Sequence, residues 1–223
     1  MYDTPRWMQE FGDPGYLYHA AAARVAAVVV SRLANAEIVP YDYAELAEVV
    51  GERTVHLASE VASALAAATA TEHAVGDAAP EAMVNSPLAR AVRVAMIDLR
   101  TSVESIQAAG QAYGLARELS LGKGTLAPGT ARRVNKHLRA ASLSLTSETG
   151  LPGEEWSRQL LFASDPDNGY ATLPMPAVRL ALRSGDLGAT AQRIDELATH
   201  LIRATDHLAA ARAILEGEGI SAN

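Results

Sequence analysis

Apolar residues recur at alternating spacings of three and four along much of the chain, which is the pattern of helices that bury one face. The clearest case predicts a helix over about 88–119. Its apolar or small positions are Leu88, Val92, Ala95, Leu99, Val103, Ile106, Gly110 and Tyr113. We expect this seam to pack against other helices, and Gly110 to permit a close approach.

Four further segments have helical patterns. One runs over about 43–73, a basic one over about 129–146, a short one over about 177–183, and a last long one from a cap at Asp186 to about Leu215. Inward positions in the first are Leu46, Val50, Leu57, Val61, Leu65 and Ala68. In the last they are Ile194, Leu197, Leu201, Thr205, Leu208 and Ala211.

The segment over about 14–36 differs because it is apolar nearly all round. Asp13-Pro14 predicts its start, with a capping carboxylate followed by proline in the first turn. Between Ala20 and Val30 its only charge is Arg24. A helix of this kind is typical of the centre of a bundle, so we expect it there.

The remaining segments read as connections. Residues 1–12 are an N-terminal arm, 74–87 a loop, 122–129 a turn-rich break, and about 148–176 one long structured loop rich in proline, glycine and aromatics. The predicted fold class is all-α: an up-and-down bundle of four long helices plus short helices, in a single domain over 1–223.

Composition narrows the function classes. There are 45 alanines and only 5% aromatic residues, which excludes an all-β fold. The net charge of -7 argues against nonspecific nucleic-acid binding, and the lack of cysteine excludes disulfides and thiolate chemistry. No signal-peptide pattern opens the chain, and Val25–Val30 is too short to span a bilayer. We therefore expect a soluble chain without a membrane span, cytoplasmic as written.

Candidate catalytic chemistry is sparse. The histidines are His19, His56, His73, His137, His200 and His207. His200 and His207 share a helix face but lie about 10.5 Å apart along it, so we expect all six to be solvated or core residues. Gly122–Thr125 departs from the phosphate-loop pattern, and the basic run over 132–139 suits a solvated face. The residues alone predict no complete active site and no cofactor.

Two segments carry a family resemblance. The first includes Tyr2-Asp3-Thr4, Phe11-Gly12-Asp13-Pro14, Tyr18-His19, Leu33-Ala34-Asn35 and Val39-Pro40-Tyr41-Asp42-Tyr43. The second includes Gly150-Leu151-Pro152, Leu161-Phe162-Ala163-Ser164, Asn168-Gly169-Tyr170-Ala171 and Leu173-Pro174-Met175-Pro176. Together they resemble the C-terminal helical, transferrin-receptor-like dimerisation domain of the glutamate carboxypeptidase II family of zinc exopeptidases.

The resemblance implies a bundle that pairs in a homodimer through its long helices and closes one wall of a protease active site. The family's zinc ligands and catalytic glutamate lie upstream of Tyr2, so we expect no metal site and no enzyme activity in this chain. The substrate-binding residues implied are Asn168, Gly169 and Tyr170. Tyr170 matches a tyrosine that binds the substrate carboxylate, whereas Gly169 stands where the family has a lysine, which removes a charge-assisted contact.

Three functions stay open at this stage. The leading one is a non-catalytic dimerisation and substrate-wall module, truncated or split from a protease core that is separate or missing. The alternative is a stand-alone helical binding protein that uses the 150–176 loop as its ligand or partner surface. A complete small hydrolase is a third reading. Tyr170 is equally compatible with substrate binding and with packing on the bundle.

Overall fold

The computed structural model describes residues 4–73, 86–151 and 153–218. Tyr2, Asp3, Pro152 and nearly all of the predicted 74–87 loop lie outside the described residues. The long helices are α1 (Leu17–Asn35), α2 (Tyr43–His73), α3 (Pro87–Gly122), α4 (Pro128–Ser144) and α6 (Leu187–Glu218). A short helix, α5, spans Pro176–Arg183, and two strands span Phe162–Asp165 (β1) and Asn168–Pro174 (β2). The predicted all-α class is confirmed.

The chain divides into two compact units, Met1–Pro40 and Tyr41–Asn223. In the larger unit α3 packs on α6, which also packs against α4 and α5, while α2 packs on α3. The core is built from the predicted seams. Its most deeply buried members include Leu57, Val92, Leu99, Ile106, Ile194, Leu197, Leu201 and Leu208. Leu88 was predicted to lie on the seam and is instead 52% exposed, because it is only the second residue of α3.

Gly110 shows why a small residue is needed on the α3 seam. A Cβ at this position would lie 2.8 Å from the carbonyl carbon of Tyr43 and 2.9 Å from the backbone nitrogen of Ala44. The start of α2 therefore rests directly on the backbone of α3. The Tyr43 hydroxyl donates to the carbonyl of Leu138 at 2.7 Å, so the same residue ties α2 to α4.

Side-chain caps fix several helix starts. Ser86 Oγ accepts from the Ala89 N–H at the start of α3, and Asp186 Oδ1 accepts from the Ala189 N–H at the start of α6. Asp42 caps α2 in the same way by accepting from the N–H groups of Ala44 and Glu45. The predicted cap at Asp186 is confirmed.

In the smaller unit, helical turns over Pro5–Trp7, Met8–Gly12 and Pro14–Tyr16 precede α1. Gly15 and Tyr16 have positive φ, so the helix predicted from residue 14 begins instead at Leu17. Asp13 is almost fully buried, and its carboxylate accepts from the N–H groups of Tyr18 and His19. Asp13 thus caps α1 across the break that Gly15 introduces.

The prediction that this first long helix lies at the centre of the bundle is wrong. Every residue of α1 is exposed, including Val25, Val28 and Leu33. Because it is apolar all round, its sequence has no polar face to set an orientation, and apolarity alone does not supply a partner. Pro14–Asn35 is also long and apolar enough to cross a membrane by length and composition, a test that core helices and signal sequences pass too. The absence of a membrane span therefore stays a prediction.

Candidate functional site

The predicted long loop contains an antiparallel hairpin, an element that its proline and glycine content concealed. Phe162 pairs with Pro174 and Ser164 with Thr172, with an irregularity between Ser164 and Asp165 next to the turn. Leu161 and Leu173 are buried and anchor the hairpin. These two residues hold the base of the hairpin, whereas its turn and the start of β2 are exposed.

Hydrogen bonds from backbone and side chain connect the base of this loop to the segment that follows α4. The Ser147 N–H donates to the Arg158 carbonyl at 2.7 Å, and Arg158 Nε donates back to the Ser147 carbonyl at 2.7 Å. The Ser147 hydroxyl also donates to Glu196 of α6 at 2.9 Å. Gly150 permits a tight turn here, because its φ is +74° and a Cβ would lie 2.3 Å from the Glu155 carbonyl oxygen.

The tip of the hairpin is held by charge. The Arg183 guanidinium, on α5, donates to both carboxylate oxygens of Asp165 and to Asp167, at 2.9 to 3.1 Å. Hydrogen bonds from Arg183 hold the pKa of Asp165 at about 2, below its ordinary 3.8. This bidentate contact fixes the turn between the strands. The sequence analysis did not predict a role for Arg183, Asp165 or Asp167.

The three predicted substrate-binding residues lie together at the start of β2. The Tyr170 N–H donates to Asn168 Oδ1 at 3.3 Å, with Gly169 between them, and all three residues are exposed. The Tyr170 side chain is fully exposed, so it does not pack on the bundle. The hairpin presents a phenol hydroxyl to solvent, where it is able to donate to an external carboxylate.

Beside the hairpin lies a polar cleft of about 640 Å³ between α2 and α5. In it Arg179 Nη2 donates to Glu60 at 2.9 Å, while Arg179 Nε is buried without a hydrogen-bond partner among the described residues. His56 and Leu173 also line this cleft. It brings together groups from α2, β2 and α5 that the sequence does not place near one another.

A second cluster missed by the sequence lies between α4 and α6. Nδ1 of His137 is 3.4 Å from Nδ1 of His207, and His200 Nδ1 donates to the Ser144 carbonyl at the end of α4. Burial and the neighbouring His207 lower the pKa of His137. His137 and His207 are 70 residues apart on different helices, so no local spacing could have paired them.

The residues that the structure describes contain no group of three or more histidine, aspartate or glutamate side chains that could hold a metal ion. A zinc site of the peptidase type, with three protein ligands and an open position, does not fit this part of the chain.

The comparisons with a family model and with individual proteins agree with each other. A family model described as the transferrin receptor-like dimerisation domain matches residues 92–209. The chain is 25% identical over 218 residues to a protein of Arabidopsis thaliana named probable glutamate carboxypeptidase LAMP1, covering 98% of this chain and 27% of that protein. It is also 25% identical over 193 residues to probable glutamate carboxypeptidase VP8 of Zea mays, covering 86% of this chain and 23% of that protein. The chain thus spans about a quarter of the length of these relatives.

Proposed function

Because the chain belongs to the transferrin receptor-like dimerisation domain family, we propose that it is the non-catalytic homodimerisation and substrate-wall module of a glutamate carboxypeptidase-like zinc exopeptidase. The observation that carries this proposal is the range of the family match, 92–209, which takes in most of α3 and α6 and everything between them. The protease core, with its zinc, would lie outside these 223 residues. The much greater length of the two named peptidases supports that division.

Helix α1 has the character expected of a surface that meets the protease core. Its exposed valines at 25, 28, 29 and 30 form an apolar surface that is costly to leave in water. Arg24 lies in the middle of the apolar stretch, and a cation there opposes burial in lipid by about 2.5–3.5 kcal/mol. A protein surface that offers both apolar contacts and an acceptor for Arg24 suits this helix better than a bilayer does.

An apolar groove between α2 and α3, formed by two adjoining hollows that share Ala58, supports the homodimer. Its floor includes Ala58, Val61 and Met96, and its rim carries Val55 and Ile97, which are 71% and 62% exposed. Large exposed apolar side chains beside a groove are characteristic of interfaces. We assign this groove to a second copy of the chain.

The charges on the rim suit such a copy. Ile97, Arg100, Glu104 and Gln107 share one face of α3 at spacings of three and four, and the last three line the groove next to Val55. In a two-fold symmetric dimer both protomers use the same surface, so each contact between two residues occurs twice, once in each direction. Antiparallel pairing of α3 about residue 102 would place Arg100 of each protomer opposite Glu104 of the other, and Ile97 opposite Gln107.

The substrate wall is the hairpin tip. Tyr170 would donate its hydroxyl to the terminal carboxylate of a peptide, with Asn168 and Gly169 shaping the approach. Gly169 supplies no ammonium, so we expect a weaker preference for acidic C-terminal residues than a lysine would give. Arg183 does not replace that charge, because its guanidinium is already engaged by Asp165 and Asp167.

Sedimentation of the purified chain tests the dimer. We expect the wild type to dimerise and Arg100→Glu to weaken the dimer by about tenfold, since two symmetric pairs become repulsive. The double variant Arg100→Glu/Glu104→Arg restores the pairs with reversed signs, so it should restore dimerisation. Arg139→Glu makes the same charge change on an exposed position of α4 and serves as the control. A strictly monomeric wild type at high micromolar concentration would contradict the homodimer.

Zinc content and exopeptidase activity test the non-catalytic role. We expect the chain alone to show no turnover of peptides ending in glutamate. Turnover together with stoichiometric, tightly held zinc would show that the chain is itself an enzyme. A gain of activity when a zinc-peptidase core is co-expressed, lost with Tyr170→Phe, would support the substrate wall.

The alternative is a stand-alone binding protein that uses the 150–176 loop. Exposed Trp156 and Tyr170 favour it, because aromatic side chains dominate binding surfaces. The neighbouring coding sequence discriminates between the two functions. A zinc-peptidase core encoded beside this chain supports the wall module, and its absence supports the binding protein.

A further inference from the structure

The seam between α4 and α6 holds a pair of histidines that face each other. The Nδ1 atoms of His137 and His207 are 3.4 Å apart, and the ring centroids are 5.6 Å apart. A neutral pair at this distance shares one proton, with one Nδ1–H donating to the other Nδ1. The pair belongs neither to the hairpin nor to the α2–α3 groove.

We propose that His137 and His207 form a two-histidine site for a divalent transition-metal ion such as Zn²⁺, with water completing the coordination. Zinc binds imidazole nitrogen at about 2.0–2.1 Å, so two nitrogens on one tetrahedral ion lie roughly 3.4 Å apart. The observed separation is close to that distance, so small rotations of the two rings bring both Nδ1 lone pairs onto one ion while the helices stay in place.

The helices hold the two histidines in place. His137 lies between the fully buried Val134 and Leu138 on α4, and His207 is next to the fully buried Leu208 on α6. Their backbones are therefore fixed by the core. Both rings are themselves only half-buried, which leaves room for water on the remaining coordination positions.

A metal ligand must offer a lone pair on its ring nitrogen, and in the neutral hydrogen-bonded pair one of the two Nδ1 atoms already does. When an ion binds, the shared proton leaves Nδ1 and the same ring takes up a proton at Nε2, so the protein's charge is unchanged. The positive charge of Lys136 repels the incoming cation and lowers the affinity of the site for the metal ion.

This site is independent of the peptidase zinc and of the proposed function. It has two protein ligands, and the ion would join α4 to α6 as a cross-link in the folded state only. A ligand that binds the native state alone raises the unfolding temperature. Metal binding here is therefore measurable as stability, without any activity assay.

The experiment is a zinc titration of the full 223-residue chain at pH 7.5, followed by calorimetry and by thermal unfolding. We expect one ion per chain and a rise in Tm of about 2–4 °C once zinc exceeds its Kd about tenfold. His137→Gln and His207→Gln should each lower zinc affinity by at least about tenfold and abolish the rise in Tm. His56→Gln, an exposed histidine on α2, is the matched control and should keep both effects.

Lys136→Gln sharpens the test because it should tighten zinc binding rather than weaken it. Each variant is compared with itself in the presence of a chelator, so a change in its basal stability does not affect the result. No zinc-dependent shift in the wild type would overturn the proposal. An equal shift in wild type and His137→Gln would also overturn it, because the ion would then bind elsewhere.

Discussion

Helices α1 and α6 are both rich in alanine and large aliphatic residues, yet one is wholly exposed and the other forms the centre of the core. In α6 the apolar residues Ile194, Leu197, Leu201 and Leu208 recur on one face, and that face is buried. In α1 they surround the helix. The difference shows that periodicity, rather than apolarity, predicts which helix packs within this chain.

The largest expected effect contrasts a buried side chain of α6 with an exposed side chain of α1. Leu201→Ala removes a fully buried side chain from α6 and should lower the free energy of unfolding by about 2–5 kcal/mol. Val29→Ala in α1, at a half-exposed valine, should change it by no more than about 0.5 kcal/mol. Urea unfolding followed by circular dichroism measures both. Similar costs for the two variants would mean that α1 is buried in solution, which would contradict its exposure.

The next largest effect on stability compares two glycines of α3, of which only one is closely packed. Gly110→Ala places a methyl group within 2.9 Å of the α2 backbone and should cost about 1–3 kcal/mol of unfolding free energy. Gly114→Ala, one turn later, meets nothing within 4 Å and should stabilise the chain by about 0.5–1 kcal/mol. Thermal unfolding of both variants measures these two changes in stability. A tolerated Gly110→Ala would show that α2 does not rest on α3 as described.

A smaller effect distinguishes the two units by the consequence of removing a helix cap from each. Asp13→Ala removes the acceptor for the Tyr18 and His19 N–H groups and should fray the start of α1, leaving the bundle's unfolding midpoint unchanged. Asp42→Ala, which uncaps α2, should lower that midpoint instead. Backbone NMR shifts and thermal unfolding report the two outcomes. If Asp13→Ala lowered the midpoint as much as Asp42→Ala, the units would be coupled.

Asp13 also predicts a pH dependence. Burial opposes its ionisation, but hydrogen bonds from His19 and from backbone N–H groups prevail, and the pKa is lowered below 3.8. The carboxylate's contribution to α1 is therefore fully present above about pH 4 and is lost as the pH falls through the lowered pKa. Fraying of α1 at neutral pH, with no further change on acidification, would contradict this cap.

The smallest expected effect concerns the hairpin. Arg183→Gln removes the charged partner of Asp165, so the pKa of Asp165 should rise from about 2 towards its ordinary 3.8, as measured by NMR titration. In the wild type the ion pair's contribution should hold above about pH 4 and be lost as the pH falls towards 2. Arg212→Gln, at an exposed ion pair on α6, is the control and should leave Asp165 unchanged. An unchanged pKa in Arg183→Gln would show that the turn alone sets it.

The sequence predicted the helices well, because each helix is defined by residues close together in the chain. The bounds of α2 and the cap at Asp186 match, and the seam of α3 is buried apart from Leu88. The resemblance to the transferrin-receptor-like domain is confirmed by the family match. The extent of a single domain over 1–223 and the roles of Asn168, Gly169 and Tyr170 stay predictions.

Two features had no signal of their own in the sequence. The β1–β2 hairpin lies in a stretch whose prolines and glycines indicate only irregular structure, and its turn is fixed by Arg183 from the next helix. The exposure of α1 depends on what else is present to cover it. Neither is decided by the residues of the element alone.

Helical periodicity and the cap at Asp186 were therefore determined by the sequence alone, since they depend on local geometry, whereas the close approach at Gly110 depends on where the backbone of α2 lies. The tertiary structure alone decided which side chains meet: His137 with His207, Arg179 with Glu60, and Arg183 with Asp165. The physical reason is that such contacts depend on how whole helices pack. Packing energy is summed over many side chains far apart in sequence, and it places charged and polar groups together without any local pattern.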